Sequence, residues 1–305
     1  MAASMHRIGL RIDVDTFRGT RQGVPRLMNL LDRFGIRALF LFSAGPDNMG
    51  RNLWRLMKPK FLLKMLRSNA PGLYGWDILL RGTFWPGPMI AKNNADIIRD
   101  CARSGHEIGV HAWDHHYWQT HIEKMPPEII HKHLRQAYDV LSDIIGHKPD
   151  CAAVPGWRGT ETALMENEAF HFKYCSDCIG SSLFKPMVNG NILQTPQIPR
   201  TMPTFDEIIG RNGITCGNYN ERLLEFTHPD KLNVLTIHAE VEGGICTPLF
   251  VEFLKMARER GFQFCPPGQL LPDDMGSIPV SSIESQSFQG REGWMAAQAD
   301  SQLIW

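Results

Sequence analysis

Ile8-Gly9-Leu10-Arg11-Ile12-Asp13-Val14, Val24-Pro25-Arg26-Leu27-Met28-Asn29-Leu30-Leu31-Asp32-Arg33-Phe34 and Ala38-Leu39-Phe40-Leu41-Phe42 follow one another within the first 42 residues of the chain. The first and third are apolar runs of strand length, and the second repeats its apolar residues at helical spacing, so the chain opens as β-α-β. The alternation continues outward. Residues 94–104 read as helix, 107–110 as strand, and 126–145 as a long helix with Pro127 near its first turn. Residues 151–154, 172–174 and 232–237 are further strands, 248–260 a late helix and 262–264 a last strand. Strands that alternate with helices predict an α/β fold with a parallel sheet or barrel, whose chemistry lies at the carboxyl ends of the strands.

Two stretches interrupt this rhythm. Residues 45–92 form an insertion too long for a simple βα loop, and from residue 266 onward Gly, Ser, Gln and Pro accumulate without periodicity. The expected organisation is therefore one catalytic barrel domain over residues 1–270, followed by a loosely ordered tail over 271–305. No repeat of fixed period is present.

The 305 residues are 43% hydrophobic and 21% charged, enough for a sizeable core. Thirty-two basic and 32 acidic side chains cancel, so no global field draws the chain to nucleic acid, which is not an expected partner. Residues 1–11 hold no apolar run of signal-peptide length, and no window approaches 18 apolar residues; the expectation is an unexported, cytoplasmic protein that does not span a membrane. Seven scattered cysteines suit reduced thiols better than a disulfide framework. Cys175 and Cys178 make a lone C-x-x-C pair with no second pair to complete a zinc site, so it reads as chance spacing.

Chemistry is concentrated at strand ends. Side chains alternate along a strand, so Asp13 and Asp15 project to one side, where two carboxylates repel unless a cation or a shared proton lies between them. A solvated pair capping the next turn would look the same in isolation. After the third strand comes Gly105-His106-Glu107-Ile108-Gly109-Val110-His111-Ala112-Trp113-Asp114-His115-His116. His111 and His115, four apart, can share one face of a helical turn and bind one metal. Two imidazoles and a carboxylate leave coordination positions open, as a catalytic metal requires. Leu235-Thr236-Ile237-His238 closes a later apolar strand, where a histidine suits proton transfer.

The aspartate pair, the G-H-E-I-G-x-H-x-x-x-H stretch and the later L-x-x-H resemble the motifs of the polysaccharide deacetylases, the NodB-homology family, over most of residues 7–265. The resemblance implies a distorted (β/α) barrel and metal-dependent removal of a small acyl group from the nitrogen of an amino sugar. By the same resemblance Asp13 is the general base, Asp15, His111 and His115 hold one divalent metal ion, and His238 is the general acid. Val14 separates the two aspartates, which are more often adjacent in the family. The third motif also departs: Ala153-Val154-Pro155-Gly156-Trp157-Arg158 carries its arginine after the proline. The resemblance gives Arg158 the task of orienting Asp13 through Asp177. Zinc, manganese, cobalt and nickel all suit the donor set.

Within the family, the runs at 9–20, 45–50 and 111–116 resemble members that release formate from a lipid-linked formamido sugar, so a lipid-linked amino sugar is the expected substrate. An N-deacetylase of another amino-sugar polymer would share every residue named. Independently of resemblance, residues 51–85 hold Arg51, Arg55, Lys58, Lys60, Lys64, Arg67 and Arg81 against Asp77 alone, interleaved with Trp54, Phe61, Trp76, Phe84 and Trp85. That composition suits an anionic membrane surface, here the cytoplasmic face of the inner membrane. A solvated helix whose aromatics cover the barrel is the alternative.

Overall fold

The computed structural model describes residues 6–51, 83, 87–288, 291, 293–299 and 301. β1 (His6–Val14) and β2 (Leu39–Ser43) flank α1 (Val24–Arg33), as the opening run predicts. Then come α2 (Ala95–Arg103), β3 (Glu107–Ala112), α3 (His115–His121) and α4 (Pro127–Ile145). Pro127 lies in the first turn of α4, and Gly146 ends that helix at φ 80°, a left-handed conformation that glycine adopts without penalty. β4 (Cys151–Ala152), α5 (Glu161–Glu168) and β5 (Tyr174–Cys175) follow.

β6 (Lys185–Val188) and β7 (Asn191–Ile192) leave the main layer, to which β8 (Val234–His238), α6 (Thr247–Glu259) and β9 (Phe262–Cys265) return. The main sheet runs β5-β4-β3-β2-β1-β8, with β9 also paired to β1. All these pairings are parallel. With helices packed on one side, this is the incomplete, distorted barrel that the strand-helix alternation implies.

Strand alternation decides what each face does. Ile8, Leu10, Ile12, Val14, Phe40 and Phe42 point into the core shared with the helices, while Leu39, Leu41, Cys151, Ala153 and Tyr174 form a second cluster. Each Val, Leu, Ile or Phe among them contributes about 1.5–3 kcal/mol by leaving water. Because the odd-numbered residues of β1 belong to the face away from the helices, Arg11 and Asp13 are carried inward, into a buried interior.

The tail requires a correction. Instead of being loosely ordered, it forms β10 (Val280–Ser287) and β11 (Trp294–Gln298), which complete a second sheet in the order β11-β10-β6-β7. The division expected at residue 270 therefore falls inside a sheet. The strands are ordered by partners distant in sequence: β10 pairs with β6, and Met295 and Ala297 pack on Trp157 and Ile179. β10 itself, Val280-Ser281-Ser282-Ile283-Glu284-Ser285-Gln286-Ser287, is too polar and too rich in serine to show a buried face, and β11 is a short, mostly apolar run of five residues. Of the basic and aromatic residues named in 51–85, all but Arg51 lie outside the described residues.

Candidate active site

The carboxyl ends of β1, β3 and β8 meet at one point. Asp13 closes the inward row of β1 and lies in register with His238 on β8; Asp15 follows one residue past the strand. Across the sheet, His111 is the penultimate residue of β3 and His115 the first of α3. The two histidines thus do not share a helical face, as their spacing suggested. Parallel pairing with β2 carries β3 through Ala112, and the helix begins only after Asp114, whose carboxylate accepts from the Tyr117 amide as an N-cap. A short turn brings the imidazoles together, with ring centroids 5.2 Å apart.

His111 Nε2 lies 3.2 Å from Asp15 Oδ1, and His115 Nε2 lies 3.4 Å from Asp15 Oδ2. One donor atom from each of the three residues lies within 4.8 Å of the others, and all three residues are buried. The His111 Nδ1–H donates to the Ala153 carbonyl at 2.6 Å, which turns Nε2 toward Asp15. Among the described residues Asp15 Oδ1 accepts no well-formed hydrogen bond, with only the His111 Nε2 beside it at 3.2 Å. Burial pushes the His115 imidazole down to about 4, so it is neutral at neutral pH and offers a lone pair. Burial opposes ionisation of Asp15, yet the neighbouring imidazoles of His115 and His111 hold its carboxyl well below the usual range. Two imidazole nitrogens and an ionised, largely buried carboxylate form a donor set that fits a divalent cation with positions left open.

Asp13 is held differently. Arg11, two residues earlier on the same face of β1, grips it with both arms, Nε to Oδ1 at 2.7 Å and Nη2 to Oδ2 at 2.8 Å. Arg11 Nη1 also donates to the carbonyl and hydroxyl of Ser176. Burial alone would lift the Asp13 pKa; the Arg11 guanidinium, then His111 and His238, pull it below the ordinary carboxylate value.

The resemblance assigns Arg158 the task of orienting Asp13 through Asp177; in the structure the guanidinium bonded to Asp13 is that of Arg11. The Arg158 guanidinium pairs with Glu123 at 3.3 Å and stacks 5.1 Å over Trp294. Asp177 is buried, but its carboxylate accepts from the Val154 amide, Asn167 and Gln197. It anchors the loop after β4, and burial raises its pKa in spite of those donors.

Two further carboxylates escaped notice in the sequence. Glu240 Oε1 accepts from the Asp15 amide and from the amide and hydroxyl of Thr16, fixing the turn that presents Asp15. Gly19 is required beside it, because a Cβ there would overlap the Glu240 carboxylate. Glu242 Oε2 accepts from the His238 amide at 2.8 Å, and burial pushes its carboxyl up to about 7. Their i,i+2 spacing directly after His238 is the signal that Asp13 and Asp15 also carry. Asp47 and Asn48, at the root of the insertion, accept from Phe17 and donate to Asp114 respectively, tying the insertion to both ligand-bearing turns.

A half-barrel with a two-imidazole, one-carboxylate pocket at its carboxyl edge, flanked by a clamped aspartate and a strand-end histidine, defines a hydrolase that acts on amide bonds. Residues 6–175 match the polysaccharide deacetylase family, and the chain belongs to it. It is 49% identical over 293 residues to a Shewanella sediminis protein named "Probable 4-deoxy-4-formamido-L-arabinose-phosphoundecaprenol deformylase ArnD", spanning 96% of this chain and 95% of that one. A Wigglesworthia glossinidia brevipalpis protein of the same name is 42% identical, spanning 92% and 98%. Among solved structures, an allantoinase superposes with a TM-score of 0.60 at 14% identity, over 88% of this chain and 91% of that one; this likeness concerns the fold alone.

Proposed function

We propose that this protein is a metal-dependent deformylase that hydrolyses the N-formyl group of undecaprenyl-phosphate-linked 4-deoxy-4-formamido-L-arabinose, releasing formate and the free amine. The observation that carries the hydrolytic reading is the convergence of Asp13 and His238, in register on adjacent strands, beside the Asp15, His111 and His115 donor set. The substrate follows from near full-length similarity to proteins named for that reaction. The product amine is the aminoarabinose that decorates lipid A, and polymyxin resistance is the expected consequence.

In this reading Asp15, His111 and His115 hold one divalent ion, which when bound supplies Lewis-acid polarisation of the amide oxygen and acidifies water. Arg11 keeps Asp13 ionised and aimed, and Asp13 accepts the proton of the attacking water. His238 delivers a proton to the departing nitrogen, and Glu242 fixes the His238 backbone. Asp177 holds the loop after β4 through the Val154 amide, and Arg158, paired with Glu123 and stacked on Trp294, acts from outside the reacting atoms.

Among the described residues no helix is long and apolar enough to cross a membrane. The basic, aromatic composition of 51–85 supports peripheral binding to anionic lipid on the cytoplasmic face of the inner membrane. The test is incubation of metal-loaded enzyme with the lipid-linked formamido sugar and, separately, an N-acetylated oligosaccharide. Formate from the first and no acetate from the second is the expected result; acetate alone would make the protein an N-deacetylase.

A further inference from the structure

The third motif places Trp157 where nothing in the reaction uses it. Its backbone lies at φ 54°, a left-handed conformation that costs a bulky residue energy and persists only where surroundings enforce it. The indole is 1% exposed and has three guanidinium carbons around it: Arg200 at 4.1 Å, Arg291 at 4.8 Å and Arg11 at 5.1 Å from the ring centroid.

Three like charges around one ring repel, and each is anchored by carboxylate. Arg200 bonds Glu207 at 2.5 Å, Arg291 reaches Glu207 at 3.2 Å and Asp206 at 3.8 Å, and Arg11 bonds Asp13. Against the rest of the indole lie Ile179 and, from β11, Met295 and Ala297. The tail thus supplies both a guanidinium and an apolar wall to a ring that abuts the arginine gripping Asp13.

We propose that Trp157 is a positioning residue for Asp13, acting through Arg11, and that Arg291 with the β10–β11 pair holds Trp157 in place. The role assigned to the C-terminal strands is therefore to set the direction of the catalytic carboxylate. A buried ring beside the guanidinium removes the rotamers in which Arg11 would release one oxygen of Asp13, and a base displaced by about 1 Å can lose about 100-fold in rate. The proposal rests on Asp13 being the base.

Two measurements on the metal-loaded, full-length protein test it. In Trp157→Phe, kcat should fall about 10- to 100-fold with KM little changed, while metal content stays at the parental level. Arg291→Met should lose activity in the same way, and Arg291→Lys should recover most of it. Combined with Asp13→Asn, Trp157→Phe should cost nothing further; an equal loss in both backgrounds would overturn the proposal. Crystal structures of Trp157→Phe and Arg291→Met read the same point without activity. The two Arg11–Asp13 bonds should no longer both form, and their retention in both variants would overturn it. Near-parental turnover of Asp13→Asn would instead refute the base assignment, leaving the crystallographic comparison to report on Arg11 by itself.

Discussion

At the residue scale the proposed mechanism separates Asp13, which would take a proton, from Asp15, His111 and His115, which would hold a cation. Asp13→Asn should retain metal and lose about 10²- to 10⁴-fold in turnover, whereas His111→Ala should lose metal itself, as elemental analysis of the purified variants would show. Glu242 gives a pH signature. Its folded pKa, about 7, stands above its ordinary 4.5, so its contribution to stability is full below the unfolded value and is lost as pH rises through about 7. A shift of that size corresponds to roughly 3 kcal/mol. Glu242→Gln should therefore gain melting temperature over the parent at pH 8 and not at pH 5; equal effects at both would contradict the burial of an ionised Glu242. Asp15, His111 and His115 were legible because strand ends bring such side chains to one place. Arg11 was not, since an arginine inside an apolar strand looks like an interruption until the i,i+2 rule is applied to it and Asp13 together.

At the element scale, placement of His115 depends on a strand-to-helix turn. Asp114 caps α3 through the Tyr117 amide and receives the Asn48 side chain at 2.6 Å. Asp114→Ala should cost about 1 kcal/mol of stability and weaken metal binding about 10-fold, read by thermal unfolding and metal titration. Unchanged metal affinity would mean that the turn holds its shape without the cap. The parallel strands and long helices of the main layer were readable because each carries its own periodicity, and their ends shift by only one or two residues. β4 and β5 are two residues each, short because the chain turns away once Cys151 and Ala152 have paired. β10 and β11 were invisible because pairing, β10 with the distant β6 and β11 with β10, and not local apolar alternation, orders them.

At the scale of the whole molecule, the half-barrel brings the site residues together, and the proposed role of the insertion at 45–92 is to meet a lipid-borne substrate. Seven basic residues against one acid in 51–85 predict that replacing Lys58, Lys60 and Lys64 with Glu releases the protein from anionic liposomes, at about 1 kcal/mol per residue. Flotation identical to the parent would make the insertion a simple covering of the barrel. The fold class of the main layer was legible because a parallel half-barrel alternates strand and helix throughout; the join between tail and site was not, because it runs through Trp157 and Arg291, 134 positions apart in the sequence. The most direct test of the central claim is the formate released from the lipid-linked formamido sugar by metal-loaded enzyme, with and without prior chelation. Release that disappears on chelation and returns when a divalent ion is restored is the predicted result; release that survives chelation undiminished would contradict the metal-dependent mechanism.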